Sequence, residues 1–161
     1  MIKVTTSQIN LDKIKKKLEE RLKPKLELEV GFFESATYNN GIKVAQVAYW
    51  NEYGTSMIPP RPFFRNAIKE NSKEWLKLIQ SMQLKTKDMG KTLAFVGDNA
   101  SYDISDSITN LSSPANSEKT INGGWITLPN GKRFKVKGKG SDNPLIDTGI
   151  MVKSVTYRVK G

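Results

Sequence analysis

The sequence predicts an α+β fold, an antiparallel β-sheet packed against long α-helices, with an extended loop or hairpin arm. Three observations carry this. Alternating apolar residues appear near both ends of the chain, at Leu26, Leu28, Val30 and Phe32 and again at Val155, Tyr157 and Val159. Two long segments, Phe63 to about Leu84 and Lys87 to Leu111, show helical spacing instead. From Ser112 to Asn143 apolar periodicity stops and Ser, Asn, Gly and Lys take over. The 161 residues, 37% of them hydrophobic, fit one domain spanning residues 1–161, with residues 112–143 as an arm within it.

Taken in order, Asn10 is suited to cap a helix from Leu11 to about Lys23, with Leu11, Ile14, Leu18 and Leu22 on one face and Pro24 ending it. Its other faces are mostly basic: Lys13, Lys15, Lys16, Lys17, Arg21 and Lys23 against Glu19 and Glu20. The first strand follows at Leu26–Phe33. Tyr38-Asn39-Asn40-Gly41 is a turn, because Asn-Gly supplies positive φ cheaply. Ile42 to Tyr53 reads as a short helix ended by Gly54 in a left-handed cap, although its β-branched content also suits a strand.

Pro62 suits the first turn of the next helix, whose inward face is drawn by Phe64, Ile68, Trp75, Ile79 and Met82. Met89, Leu93, Val96, Ala100, Ile104, Ile108 and Leu111 stripe the helix after it. Within the arm, Trp125–Leu128 and Arg133–Lys137 flank Pro129-Asn130-Gly131, which predicts two short strands around a tight turn. Asn143–Gly149 reads as a short helical turn capped by Asp147 or Thr148, leading into the last strand.

Composition narrows the chemistry. The chain has no cysteine and no histidine, which excludes disulfides, thiolate metal sites and every Ser-His or Cys-His arrangement. Neither a secretory leader nor a run of about 18 apolar residues is present, so no membrane association is expected. Lys and Arg total 26 against 16 Asp and Glu, a net charge of +10 that suits nucleic acid or an acidic protein surface. The densest basic run is Lys132, Arg133, Lys135, Lys137 and Lys139, with no acid among them and Phe134 interleaved. Asp98, Asp103 and Asp106 read as solvated helix positions, and Glu52 has no second carboxylate at a fixed spacing. No phosphate-binding glycine pattern, nucleophile elbow or metal-ligand spacing occurs. A cofactor-free, non-enzymatic protein is expected.

The densest run of costly residues is Ala48 to Arg65, where Tyr49, Trp50, Tyr53, Phe63 and Phe64 meet Pro59, Pro60, Pro62, Arg61 and Arg65. Such rigidity at a helix-to-helix junction implies a specified geometry. Three blocks in this order, Ala48–Thr55, Ile58–Arg65 and Asn143–Gly149 leading to Val159, resemble the neck, or tail-completion, proteins of tailed bacteriophages, the virion morphogenesis family. The resemblance covers about Val30 to Val159 and leaves out the basic N-terminal segment and the 112–142 loop.

It implies a structural, non-catalytic subunit of the virion neck, assembled in the host cytoplasm. The implied partners are other copies in a ring, with a hexamer expected, the head connector or adaptor, and the tail tube or tail terminator. Whether the basic residues meet DNA passing through the channel stays open. In that setting Tyr49, Trp50, Tyr53 and Phe63 are expected interface anchors, and Arg61 and Arg65 are expected to pair with acidic groups on a neighbour. Phe64 and Trp75 are expected in the core. The alternative function is nucleic-acid binding through the 132–139 arm.

Overall fold

A computed structural model describes residues 26–161. The helix expected at Leu11–Lys23 lies outside the described residues. The elements are β1 (Glu27–Phe32), α1 (Val44–Tyr53), α2 (Phe63–Thr86), α3 (Met89–Asn110), α4 (Glu118–Asn122), β2 (Gly123–Thr127), β3 (Arg133–Lys137), α5 (Ile150–Lys153) and β4 (Val155–Lys160). The architecture is α+β, with long helices and two small antiparallel sheets.

The alternation at the two ends works as one ladder. β1 and β4 pair antiparallel from Glu27↔Lys160 to Phe32↔Val155, so Leu28, Val30 and Phe32 stand beside Val159, Tyr157 and Val155 on one face. The other face is polar, where Arg158 and Lys160 both pair with Glu29 and hold its carboxyl below the usual carboxylate range. α3 packs on the sheet at Gly97. A Cβ there would stand 2.4 Å from the Tyr157 ring and 2.9 Å from Leu28, so the crossing requires glycine.

α2 and α3 form a helical hairpin through a short connection. Lys87 takes left-handed φ (53°), and the Asp88 carboxylate accepts the amide of Lys91 at 3.1 Å to start α3. The pair is pinned by polar contacts at the connection and at mid-length. The fully buried Thr92 hydroxyl meets Thr86, Gln83 and the Asp88 carbonyl, and the Trp75 indole donates to Asp103 at 2.7 Å. Asp103 is therefore an interhelical partner, not the solvated face position expected.

The rotation of α2 also departs from expectation. Phe63 and Ala67 are its buried residues, at 1% and 0% exposure, while Ile68 is 42% exposed. The departure is confined to the first turns, where Ser107 on α3 donates to the Phe63 carbonyl at 2.8 Å; further along, Trp75, Ile79 and Met82 are half-buried on the face expected. That core consists of Val44, Ala48, Phe63, Ala67, Ile104, Ile108, Leu145 and Met151, with Phe64 half-buried at its edge. The expected helical turn at 143–149 is displaced too: Asn143 instead accepts the amides of Leu145 and Ile146, and helix begins only at Ile150.

The arm forms as expected around Asn130-Gly131, with β2 and β3 paired from Gly123↔Lys137 to Thr127↔Arg133. α4 supports its base. Lys139 and Gly140 donate backbone amides to the carbonyls of Thr120 and Ile121, at 2.9 Å each. No helix of the described residues is long and apolar enough to cross a membrane.

Candidate functional site: the α1–α2 junction and the arm it anchors

α1 is helical, and it ends because Gly54 adopts φ 77° and ψ 176°. This differs from the left-handed cap expected: φ is positive but ψ is extended, which turns the chain sharply outward. A Cβ on Gly54 would lie 2.8 Å from the Ile58 carbonyl oxygen and 2.9 Å from the Pro60 nitrogen, so the loop folds back where only glycine leaves room. The Thr55 hydroxyl accepts the amides of Met57 and Ile58, closing the loop on itself.

The first turn of α2 carries no acidic residue, and Pro62 offers no side-chain cap. Its free amides are satisfied from the end of α1 instead. Glu52, buried to 5% exposure, accepts the amides of Phe64 at 2.9 Å and Arg65 at 3.2 Å. The Arg65 side chain closes the clasp, donating Nε to the same carboxylate at 2.7 Å and a terminal nitrogen to the Glu52 carbonyl at 3.0 Å. One acid thus ties the end of one helix to the start of the next.

Above the clasp lies an aromatic shelf. The Arg65 guanidinium sits 5.0 Å from the Tyr53 ring centre, and Tyr53 packs on Tyr49 at 4.7 Å. Both tyrosines are more than half exposed, at 61% and 56%. They border an open groove of about 290 Å³ floored by Val30, Phe32, Ala45 and Phe64.

Arg61 faces the opposite way. It is 7% exposed and donates to the carbonyls of Pro114 (3.0 Å) and Ala115 (3.3 Å) and to the side chains of Asn51 and Asn116. Burial pulls its pKa below the ordinary value for arginine. Arg61 therefore roots the arm on the junction. Between the two lies an open cleft of about 1330 Å³, bordered by Met57, Ile58 and Pro59 on one side and Ile126 and Val136 on the other.

The expected interface residues thus separate into groups. Tyr49, Tyr53 and Arg65 come together on the surface, and Trp50 is half-buried. Phe63 is core, so its role as an anchor is corrected. Arg61 and Arg65 find partners within the chain: Arg61, buried, on backbone carbonyls and amide side chains, and Arg65, still half exposed, on Glu52. Phe64 packs against the core and Trp75 is half-buried, close to expectation.

The basic arm separates too. Arg133, Lys135 and Lys137 alternate onto one face of the hairpin, Lys132 stands in the turn, and Lys139 folds back to donate to the Asn143 carbonyl. Burial lowers the Lys139 pKa, partly offset by Asp147. Phe134 does not interleave with the cations, because its cross-strand partner is Ile126 on the opposite face. The aromatic on the basic face is Trp125, opposite Lys135 and 5.4 Å from the Arg133 guanidinium. The strand register carries that signal; composition does not.

Among the described residues no three acidic side chains are grouped to hold a metal. Comparison of the chain with protein-family models, with curated proteins and with solved structures gives no match.

Proposed function

We propose that this chain is a structural subunit of a tailed-bacteriophage or prophage virion, acting in the neck as a ring component that joins head to tail. The observation that carries this is the exposed Tyr49–Tyr53–Arg65 shelf, fixed from beneath by buried Glu52. Aromatic and arginine side chains dominate protein interfaces because they bury much area at small entropic cost, and a shelf immobilised beforehand lowers that cost further. The same junction carries two of the three sequence blocks that resemble neck proteins.

Glu52 also favours docking over chemistry. Its two oxygens are committed to two amides and a guanidinium, an arrangement that holds helices in place. In the proposed ring the shelf of one copy docks against a neighbouring surface, without catalysis or cofactor.

Electron microscopy of particles made without this protein tests the reading. Filled heads and finished tails that fail to join are the expected outcome; normal joined particles would refute it.

A further inference from the structure

We propose that the β2–β3 hairpin binds a single nucleic-acid strand on the face formed by Trp125, Arg133, Lys135 and Lys137. The inference does not rest on the assembly reading, since a neck subunit and an unrelated protein could both use such a face.

Register places these residues together. Trp125 stands opposite Lys135, with Thr127↔Arg133 and Gly123↔Lys137 as the flanking pairs on that face. The indole is therefore at the centre, 54% exposed, with one cation beside it and one on each flank. The face is uniform in sign: from Lys119 to Ser141 the chain contains no acidic residue. Among the described residues, none of Arg133, Lys135 and Lys137 forms an ion pair with a carboxylate. The opposite face, with Ile126, Phe134 and Val136, is apolar.

Three like charges aligned on one strand repel one another, and this arrangement is relieved by a polyanion. Arg133 to Lys137 spans about 13 Å along the strand, the rise of roughly four stacked nucleotides. An acidic protein surface offers carboxylates at irregular spacing among other charges. A nucleic-acid strand offers a regular row of phosphates with a base face beside each, and the central indole suits that base face. In a duplex the bases are already stacked on each other, so Trp125 favours an unpaired strand.

The test is fluorescence anisotropy with a labelled 16-nucleotide oligothymidylate and a 16-base-pair duplex, titrated between 50 and 200 mM salt. Three phosphate contacts weaken single-strand binding roughly twentyfold across that range, a logarithmic slope of about −2. R133Q/K135Q/K137Q is expected to remove that slope contribution. W125L is expected to cost roughly tenfold on the single strand while F134L, on the other face, leaves binding unchanged. A charge-matched variant on exposed α2 positions, K69Q/K73Q/K85Q, controls for net charge, and circular dichroism confirms that each variant is folded.

Preference for the single strand, lost with the hairpin variants and kept in the α2 variant, supports the proposal. It is overturned if nothing binds at 50 mM salt, if the α2 variant loses as much as the hairpin variant, or if duplex binds equally and W125L has no effect. Polyglutamate competing as well as the oligonucleotide at equal charge would also overturn it, in favour of an acidic protein partner.

Discussion

The α1–α2 junction and the β2–β3 arm both present aromatic and basic side chains to solvent, yet they are held in opposite ways. The junction is stapled from within: Glu52 reaches across to the first turn of α2, Arg65 reaches back, and Gly54 lets the loop close over both. The arm is fastened at its root, where Arg61 grips Pro114 and Ala115 and α4 holds the hairpin base. Beyond that root, its two strands rely on each other. A small isolated hairpin is marginally stable alone, so the same residue types form a fixed platform in one region and an adaptable appendage in the other.

The sharpest way to break this contrast is Glu52→Ala. It strips the cap from two amides of the first turn of α2 and leaves Arg65 without its acid, and the expected loss is about 3 kcal/mol, roughly 10 °C in Tm. Glu52→Gln keeps an acceptor and is expected to lose about half as much. A melting curve unchanged by E52A would mean that the clasp does not hold the junction.

Arg61→Ala should act mainly on the arm. It leaves two carbonyls without their donor and is expected to cost about 2 kcal/mol in chemical denaturation. Hydrogen exchange should quicken in the 113–122 and hairpin segments while the amides of Phe64 and Arg65 keep their protection. Arg61→Lys is expected to rescue little, because one ammonium cannot reproduce the guanidinium fork that spans these acceptors. Equal loosening of arm and junction would show that the two are not separately anchored.

Smaller effects are expected from the surface residues. Tyr49→Ala with Tyr53→Ala removes the shelf without touching the clasp, and its stability should change by less than about 1 kcal/mol. The hairpin variant R133Q/K135Q/K137Q should fall within about 0.5 kcal/mol, measured by the same denaturation. A large loss from either would make those residues structural.

Much of this frame was legible in the sequence. Strict alternation at Leu28–Phe32 and Val155–Val159 identified two strands, and Asn130-Gly131 identified the hairpin, because both signals are local. The start of α2 was not legible. Phe63 and Phe64 are adjacent and Ile68 is apolar yet exposed, so periodicity favoured Phe64 and Ile68 over Phe63 and Ala67, whose small side chain gave little signal, while Trp75, Ile79 and Met82 fall on the half-buried face expected. Arg61 finds its carbonyl partners 53 and 54 residues away, and Arg65 finds its acid 13 residues away. No local window contains the Arg61 pairings, and although Glu52 and Arg65 share the Ala48–Arg65 block, their pairing depends on how the chain reverses at Gly54. The basic run was visible as composition, but which of its members share a face with Trp125 depends on strand register.

The central claim is that the Tyr49–Tyr53–Arg65 shelf is a docking surface on a rigid base. The most direct measurement is electron microscopy of particles from a strain lacking this protein, complemented with either the wild-type chain or Y49A/Y53A at equal expression. Joined particles are expected from the wild type, and from the double variant a folded, soluble protein with heads and tails left apart. Joined particles at wild-type frequency from the double variant would contradict that claim.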